Sequence, residues 1–368
     1  MGGWVTPRSR ASKTMRRFLV SLRDTLGTDR SSAPEHGDAT NTDPEHGDPE
    51  RGDPANADST SEDGSVYGPS YFGAGRDSSG DRQGISGYAV YDRVSSNADI
   101  AAYLLWRNFR AEKALDVGCA KGYLVEALRE LGVDAYGCDV SEFAVENASS
   151  AVSGLVRTGD LETGLPYSDA EFDLISALEV LEHLHPEKVS AALAELRRVS
   201  RGVVYATIPS FGYNASGPDG HFEGKVRPEC LERYRVDGDD RGGPIPFEEL
   251  AVDSSGQPVE GHLTIASFQW WTEAFARAGF VRDVEVERRL YRDISPLGLA
   301  KFWNLYVFCV PGASSRSLLE PREPMKSLWD LGLVHPLVQD AASKGLLAVN
   351  PESASKDSNV PEASNASE

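Results

Sequence analysis

Between residues 97 and 210 the apolar positions alternate between two spacings. Compact apolar runs at 114–117, 135–138, 155–158, 172–177 and 203–207 end in an acid or a small residue and read as strands buried on both faces. The stretches 97–109, 122–131, 141–150 and 186–199 instead place apolar residues three and four apart; Val189, Leu193, Leu196 and Val199 share one helical face. Strands alternating with helices predict an α/β fold whose parallel sheet is covered on both sides. Further on, 267–278 reads as a helix, while 281–288 and 305–310 read as strands.

The flanks follow neither spacing. Residues 1–30 are basic, and Met15, Phe18, Leu19, Leu22 and Leu26 recur at helical intervals, so 14–26 is expected to form a short amphipathic helix. Such a helix either docks on a membrane or partner, or frays in water. Residues 31–65 repeat Pro-Glu-His-Gly-Asp, have little to bury and read as a disordered acidic linker. The folded body is expected over 66–312. Within it, 209–261 is a long polar insert rich in Gly and Pro, of the kind that forms substrate loops and lids. Residues 313–368 read as a partly disordered tail with leucine clusters near 328–347.

Charge narrows the function classes. The chain carries 37 basic and 57 acidic residues, a net charge of −20 over 368 residues. With no basic patch in the body, nucleic acid is not expected as a partner. Cys119, Cys138, Cys230 and Cys309 form no Cys-x-x-Cys pair, which argues against a thiolate zinc site and for a reduced, cytoplasmic setting. No apolar run is long enough to span a bilayer, and the N-terminus lacks the apolar core of a signal peptide.

The most informative stretch is Ala114-Leu-Asp-Val-Gly-Cys-Ala-Lys-Gly-Tyr123. A strand ending in Asp116 breaks into a turn through Gly118, Cys119, Ala120 and Gly122, then opens a helix whose free N–H groups suit a polar ligand. A second strand ends at Asp139, where an acid commonly binds the two hydroxyls of a ribose. The glycines do not follow the G-x-G-x-x-G spacing of nicotinamide dinucleotide sites, and Asp116 would repel a pyrophosphate. A nicotinamide-dependent oxidoreductase is therefore disfavoured.

The segment resembles motif I of class I S-adenosylmethionine-dependent methyltransferases, written D-x-G-x-G-x-G, with Ala120 in place of the middle glycine. The resemblance covers about 110–312. It implies a Rossmann-like, mostly parallel seven-stranded sheet, with 281–288 and 305–310 as its antiparallel end. It also implies a cofactor site for S-adenosylmethionine built from Asp116, Gly118, Cys119, Ala120, Gly122, Asp139 and Val140. Asp160 and Leu161 would lie at the adenine, and Ala177 at the end of the fourth strand. In similar enzymes an N-terminal aromatic segment closes over the cofactor; Tyr71, Phe72, Tyr88 and Tyr91 are the candidates here.

Strand four runs into Glu179-Val-Leu-Glu182-His183. On a helical turn Glu179, Glu182 and His183 would share a face, and two carboxylates with an imidazole can hold Mg²⁺ or Mn²⁺. The same E-x-x-E-H pattern occurs in ubiquinone-pathway O-methyltransferases and small-RNA 2′-O-methyltransferases, where such residues can ligate a metal. Alternatively His183 serves structure or acid–base chemistry without metal. His221 and His262 are further candidate general bases. Of Trp270 and Trp271, one is expected in the core and the other at the substrate pocket. The expected activity is methyl transfer to an oxygen of a small molecule, glycan or lipid-linked sugar. The rival is a non-catalytic nucleotide-binding scaffold.

Overall fold

The computed structural model describes residues 91–218, 220, 222–236, 242–254, 256–294, 304–312 and 317–323, together with Tyr67 and Tyr71. The expected N-terminal helix, the acidic linker, Phe72, Tyr88, His221 and the leucine clusters near 328–347 lie outside these residues.

Strands β1 (Lys113–Val117), β2 (Asp134–Asp139), β3 (Val156–Thr158), β4 (Phe172–Leu178) and β5 (Ser200–Thr207) are joined by helices α1 (Ala98–Asn108), α2 (Tyr123–Glu130), α3 (Glu142–Glu146) and α4 (Val189–Val199). The two-residue strands β6 (Ser210–Phe211) and β7 (Ala266–Ser267) pair outside the main sheet and bracket helix α5 (Pro228–Val236). Then come α6 (Phe268–Arg277), β8 (Val281–Arg282), α7 (Val284–Ile294) and β9 (Leu305–Cys309). The main sheet has seven strands in the order β3-β2-β1-β4-β5-β9-β8. Pairing is parallel from β3 through β5, and β9 runs antiparallel to both β5 and β8. β1 lies mid-sheet, flanked by β2 and β4, and the loops leaving all three open at one edge. Ligands of open α/β sheets bind at that edge, where the order of strands reverses.

Central strands are buried on both faces, which their unbroken apolar runs require. Helix α4 turns Val189, Ala192, Leu193, Leu196 and Val199 onto the sheet and packs beside α6, while α1 packs with α2 and α7. Trp271 is fully buried in this core, and Trp270 packs against it half-buried.

Two expectations are corrected. Only Val281 and Arg282 of 281–288 are strand; the rest belongs to α7. Val284 and Val286 mimic strand alternation, but Val286, Glu287, Leu290, Tyr291 and Ile294 are the buried positions, and that spacing is helical. The buried Glu287 is paired with Arg282 at 2.8 Å, which lets a carboxylate sit on the inner face. Likewise, the helix expected over 141–150 ends at Glu146.

The tail also starts differently. Leu318 is buried over Gly202, its carbonyl accepts the Arg110 N–H at 2.8 Å, and the Arg289 guanidinium donates to the Leu319 carbonyl at 2.9 Å. Residues 317–323 therefore clamp the sheet at the edge where β1 and β5 begin.

Candidate active site

A cavity of about 650 Å³ opens at the edge where β1, β2 and β4 end. Its first wall is the turn after β1. Gly118 has φ 71°, and a Cβ there would collide with the Val180 side chain; Ala120 also takes a left-handed conformation, φ 48°. Gly122 (φ 75°) caps α2 from behind, against Val152 and Val156, and is not part of the cavity wall. Asp116 is buried and accepts the Ser176 hydroxyl at 2.7 Å. Burial, opposed by Ser176 and assisted by Asp139, pushes its carboxyl up to about 7.

Asp139 sits opposite, accepting the N–H of Ala120 at 2.7 Å and of Ser141 at 2.9 Å. One carboxylate thus ties the glycine turn to the start of α3. Burial raises its pKa while those N–H bonds hold it down. Cys119, Val140, Asp160 and Leu161 complete this side. Val140 is exposed, offering an apolar face beside Asp139. Asp160 accepts the Glu162 N–H at 2.8 Å, so it shapes its own loop as well as facing the cavity. Ala177 is fully buried in the sheet; Leu178 and Glu179 form the wall beyond it.

The opposite wall carries Glu179, His183 and His262, and the fully buried Glu182 lies beside the two imidazoles outside the lining. Glu179, Glu182 and His183 do not share a helical face: Glu179 has φ 56°, and Leu181–His183 form a single 3₁₀ turn. The Glu179 N–H is held by the carbonyl and hydroxyl of Thr207 at 3.0 and 3.2 Å. The 3₁₀ turn faces the end of the insert. N–H groups of Leu263 and Thr264 donate to the Glu182 carbonyl at 2.8 and 2.9 Å, and the Thr264 hydroxyl donates to the Leu184 carbonyl at 2.6 Å. These bonds bring His262 onto the cluster. Glu182, His183 and His262 offer ligand atoms within 4.8 Å of one another.

Glu182 is fully buried with neither carboxylate oxygen hydrogen-bonded among the described residues, and His262 Nδ1 is unpartnered as well. Burial first, then Glu179, drives the Glu182 pKa well above the usual range; burial and Lys225 drive His262 well below its own. His183 Nδ1 lies 3.1 Å from the Gly261 carbonyl. A carbonyl only accepts, so Nδ1 carries the proton and Nε2 keeps its lone pair. Burial lowers His183 to about 4, leaving it neutral at physiological pH.

The insert carries its own apolar cluster of Phe211, Phe222, Val226, Tyr234, Ile245, Leu250 and Ile265. It returns Glu260 and His262 to the cavity, and Glu260 pairs with Lys225. Neither Trp270 nor Trp271 reaches the cavity. Tyr71 and Tyr91 line it, and so does Tyr67, a residue that sequence reasoning missed. Tyr67 accepts the Ser141 hydroxyl through its carbonyl at 2.6 Å and sets its ring edge-on to His183, centroids 6.0 Å apart. Burial, then Glu182, lifts its phenol to about 12, so it stays a donor.

Asp116 supports a pH prediction. Its folded pKa is raised, so below pH 7 a ligand whose ammonium pairs with it must first displace a proton. Affinity for S-adenosylhomocysteine is expected to fall by up to about tenfold per pH unit below 7 and to level off above it. For the ligand-free protein the sign is reversed: the unfolded chain ionises this group near 3.8, so its contribution to stability declines as pH rises from there to about 7. The thermal shift caused by S-adenosylhomocysteine should therefore grow from pH 5.5 to about 7 and change little above it. A shift independent of pH would contradict this.

Residues 115–205 match the family described as methyltransferase domain. Over 102 residues the chain is 35% identical to the ubiquinone biosynthesis O-methyltransferase of Methylococcus capsulatus, a match covering 26% of this chain and 43% of that one. Identity is also 35%, over 118 residues, to the protein of the same name from Thiobacillus denitrificans, covering 28% and 50%. The chain thus spans about half the length of the curated relatives it matches. Among solved structures, a Methanosarcina mazei S-adenosylmethionine-dependent methyltransferase aligns with 50% of this chain and 85% of its own, at 21% identity and TM-score 0.35. The family match falls on β1 through β5, the strands whose ends frame the cavity, so the sheet that builds the site is the part of this chain that is similar to a methyltransferase domain.

Proposed function

We propose that this chain transfers the methyl group of S-adenosylmethionine to an oxygen of a small organic acceptor bound against Glu182, His183 and His262. The observation that carries the reading is one shared cavity, with the turn between Asp116 and Asp139 on one wall and His183 and His262, beside the buried Glu182, on the other. Methyl transfer from a sulfonium has a good leaving group, so the protein's task is to align the nucleophile and take its proton. Asp116, Asp139 and the glycine turn hold the donor; Tyr67, Tyr71 and the insert enclose the acceptor. The related ubiquinone biosynthesis O-methyltransferases support oxygen as the methylated atom. A glycan or lipid-linked sugar is an acceptor that the long polar insert would suit.

Glu182, His183 and His262, whose ligand atoms lie within 4.8 Å of one another, fit a divalent cation, with His183 offering Nε2. Two imidazoles and one carboxylate favour a first-row transition ion such as Mn²⁺ over Mg²⁺. Such an ion would acidify an acceptor hydroxyl bound to it. Without it, His183 Nε2 and His262 are the candidate bases. His221, outside the described residues, keeps only its sequence-based candidacy.

Calorimetry with S-adenosylhomocysteine tests the cofactor half. The parent should bind, and Asp139→Ala should lose about 1–3 kcal/mol, since it leaves the Ala120 and Ser141 N–H groups unpaired. No binding by the parent would sink the assignment. Acceptor panels read out as S-adenosylhomocysteine release test the other half, and full activity in excess EDTA would remove the metal.

A further inference from the structure

We propose that Lys225 is a positioning residue that holds the Glu260 carboxylate back from the Glu182, His183 and His262 cluster, and so keeps a divalent cation there weakly bound and exchangeable. This rests on the metal reading above. The Lys225 ammonium donates to Oε2 of Glu260, a residue of the cavity wall. That same oxygen lies 3.8 Å from His262 Nε2, and His262 Nε2 lies 3.9 Å from Glu182 Oε1. Lys225, Glu260, His262 and Glu182 therefore form a chain of contacts that runs from the insert into the cluster. The insert builds it from three segments distant in sequence. Ala251 is the spacer: its N–H donates to the Lys225 carbonyl at 3.0 Å, and its carbonyl accepts the Val259 N–H at 2.9 Å. Val226 and Leu250, next to Lys225 and Ala251, are bridged and buried in the insert's own core. Lys225 is thereby rooted beside the Val259–Gly261 turn that carries Glu260. The same turn gives the Gly261 carbonyl to His183 and leads directly into His262.

Stability does not account for this pair. The Lys225 side chain is 15% exposed and that of Glu260 46%. An ion pair open to water on one side adds little to folding, while withdrawing an ammonium from water has a cost. Its charges instead act on the cluster. Lys225 is the main charge felt by His262, and it acts on Glu182 and His183 as well. An ammonium in this place repels a dication and neutralises a carboxylate that would otherwise attract one. Removing Lys225 lifts the repulsion and frees the carboxylate. Removing Glu260 alone does the reverse, leaving an uncompensated ammonium. Removing both leaves the sum of charges as it was, so the two single changes must act in opposite directions and cancel when combined.

The test is calorimetric titration of Mn²⁺ into the full chain, with thermal unfolding of each variant alongside. Lys225→Met should bind the ion about tenfold more tightly than the parent and Glu260→Gln about tenfold more weakly, the scale of one nearby charge in a partly screened site. The double variant should return to within about threefold of the parent. Lys225→Arg keeps the charge and should match the parent. A pair that merely braces the insert gives a different pattern: both single variants weaken the ion, and the double variant does not recover. That pattern overturns the proposal, as does an unchanged affinity in Lys225→Met; a Lys225→Met chain that no longer unfolds cooperatively counts as the bracing pattern. Should neither the parent nor Lys225→Met bind Mn²⁺, the metal reading itself falls, a result distinct from binding that ignores the pair.

Discussion

Replacing Glu182 by methionine should make the protein more stable and less active. The parent buries this carboxylate completely and gives its oxygens no hydrogen bond among the described residues. Burying such a group unpaired costs about 1–3 kcal/mol on mutational scales, even when it escapes ionisation by taking up a proton. Methionine keeps the length of the side chain, fills the same space and removes the polar cost. Chemical denaturation in EDTA should show Glu182→Met about 1–3 kcal/mol above the parent. Methyl transfer should drop by at least about a hundredfold if the carboxylate holds the cation or serves the acceptor proton. The backbone of the turn should survive, because Leu263 and Thr264 bond the Glu182 carbonyl rather than its side chain. A variant less stable than the parent, with activity intact, would show that Glu182 is structural.

The second large effect is expected at Gly118. Its φ of 71° strains any side chain placed there, and a Cβ would collide with Val180. Gly118→Val combines left-handed strain with overpacking, together about 2–5 kcal/mol, and it reshapes the cradle that the donor enters. Thermal unfolding should move down by several degrees and S-adenosylhomocysteine binding should disappear. The two causes are separable. In Gly118→Ala, adding Val180→Ala makes room for the new methyl, so the double variant should recover the packing part. It should retain about 1 kcal/mol of backbone strain. Full recovery would mean that the turn tolerates a side chain once space is made. No recovery would mean that Val180 was not the obstacle.

Much of this site is legible in the sequence for a local reason. Asp116, the glycine turn and Asp139 occupy one strand–turn–helix–strand unit, whose period and punctuation dictate where each side chain goes. Strand ends then bring Asp160 and the residues after β4 to the same edge without further information. What the sequence hides is nonlocal. His262 meets His183 because Leu263 and Thr264 bond the chain at Glu182, some eighty residues earlier, and no periodicity records that pairing. Tyr67 is hidden likewise, its place depending on a hydrogen bond from Ser141. The E-x-x-E-H motif suggested a helix because its spacing fits one, yet Glu179 is pinned to Thr207 and only one short turn follows. The strand expected over 281–288 shrinks to Val281 and Arg282 because Val286, Leu290, Tyr291 and Ile294 are buried at helical spacing, a periodicity that becomes visible only beyond the expected strand's end.

The seven-residue clamp at 317–323 has a practical consequence. It grips Arg110 and Gly202 at the rim of the sheet remote from the cavity. Robustness and reactivity are thereby lodged at opposite poles. Trimming Leu318 to alanine should lower the melting temperature while leaving donor affinity untouched, since distant sites contribute additively. An engineer could harden this scaffold from its far pole without disturbing the chemistry.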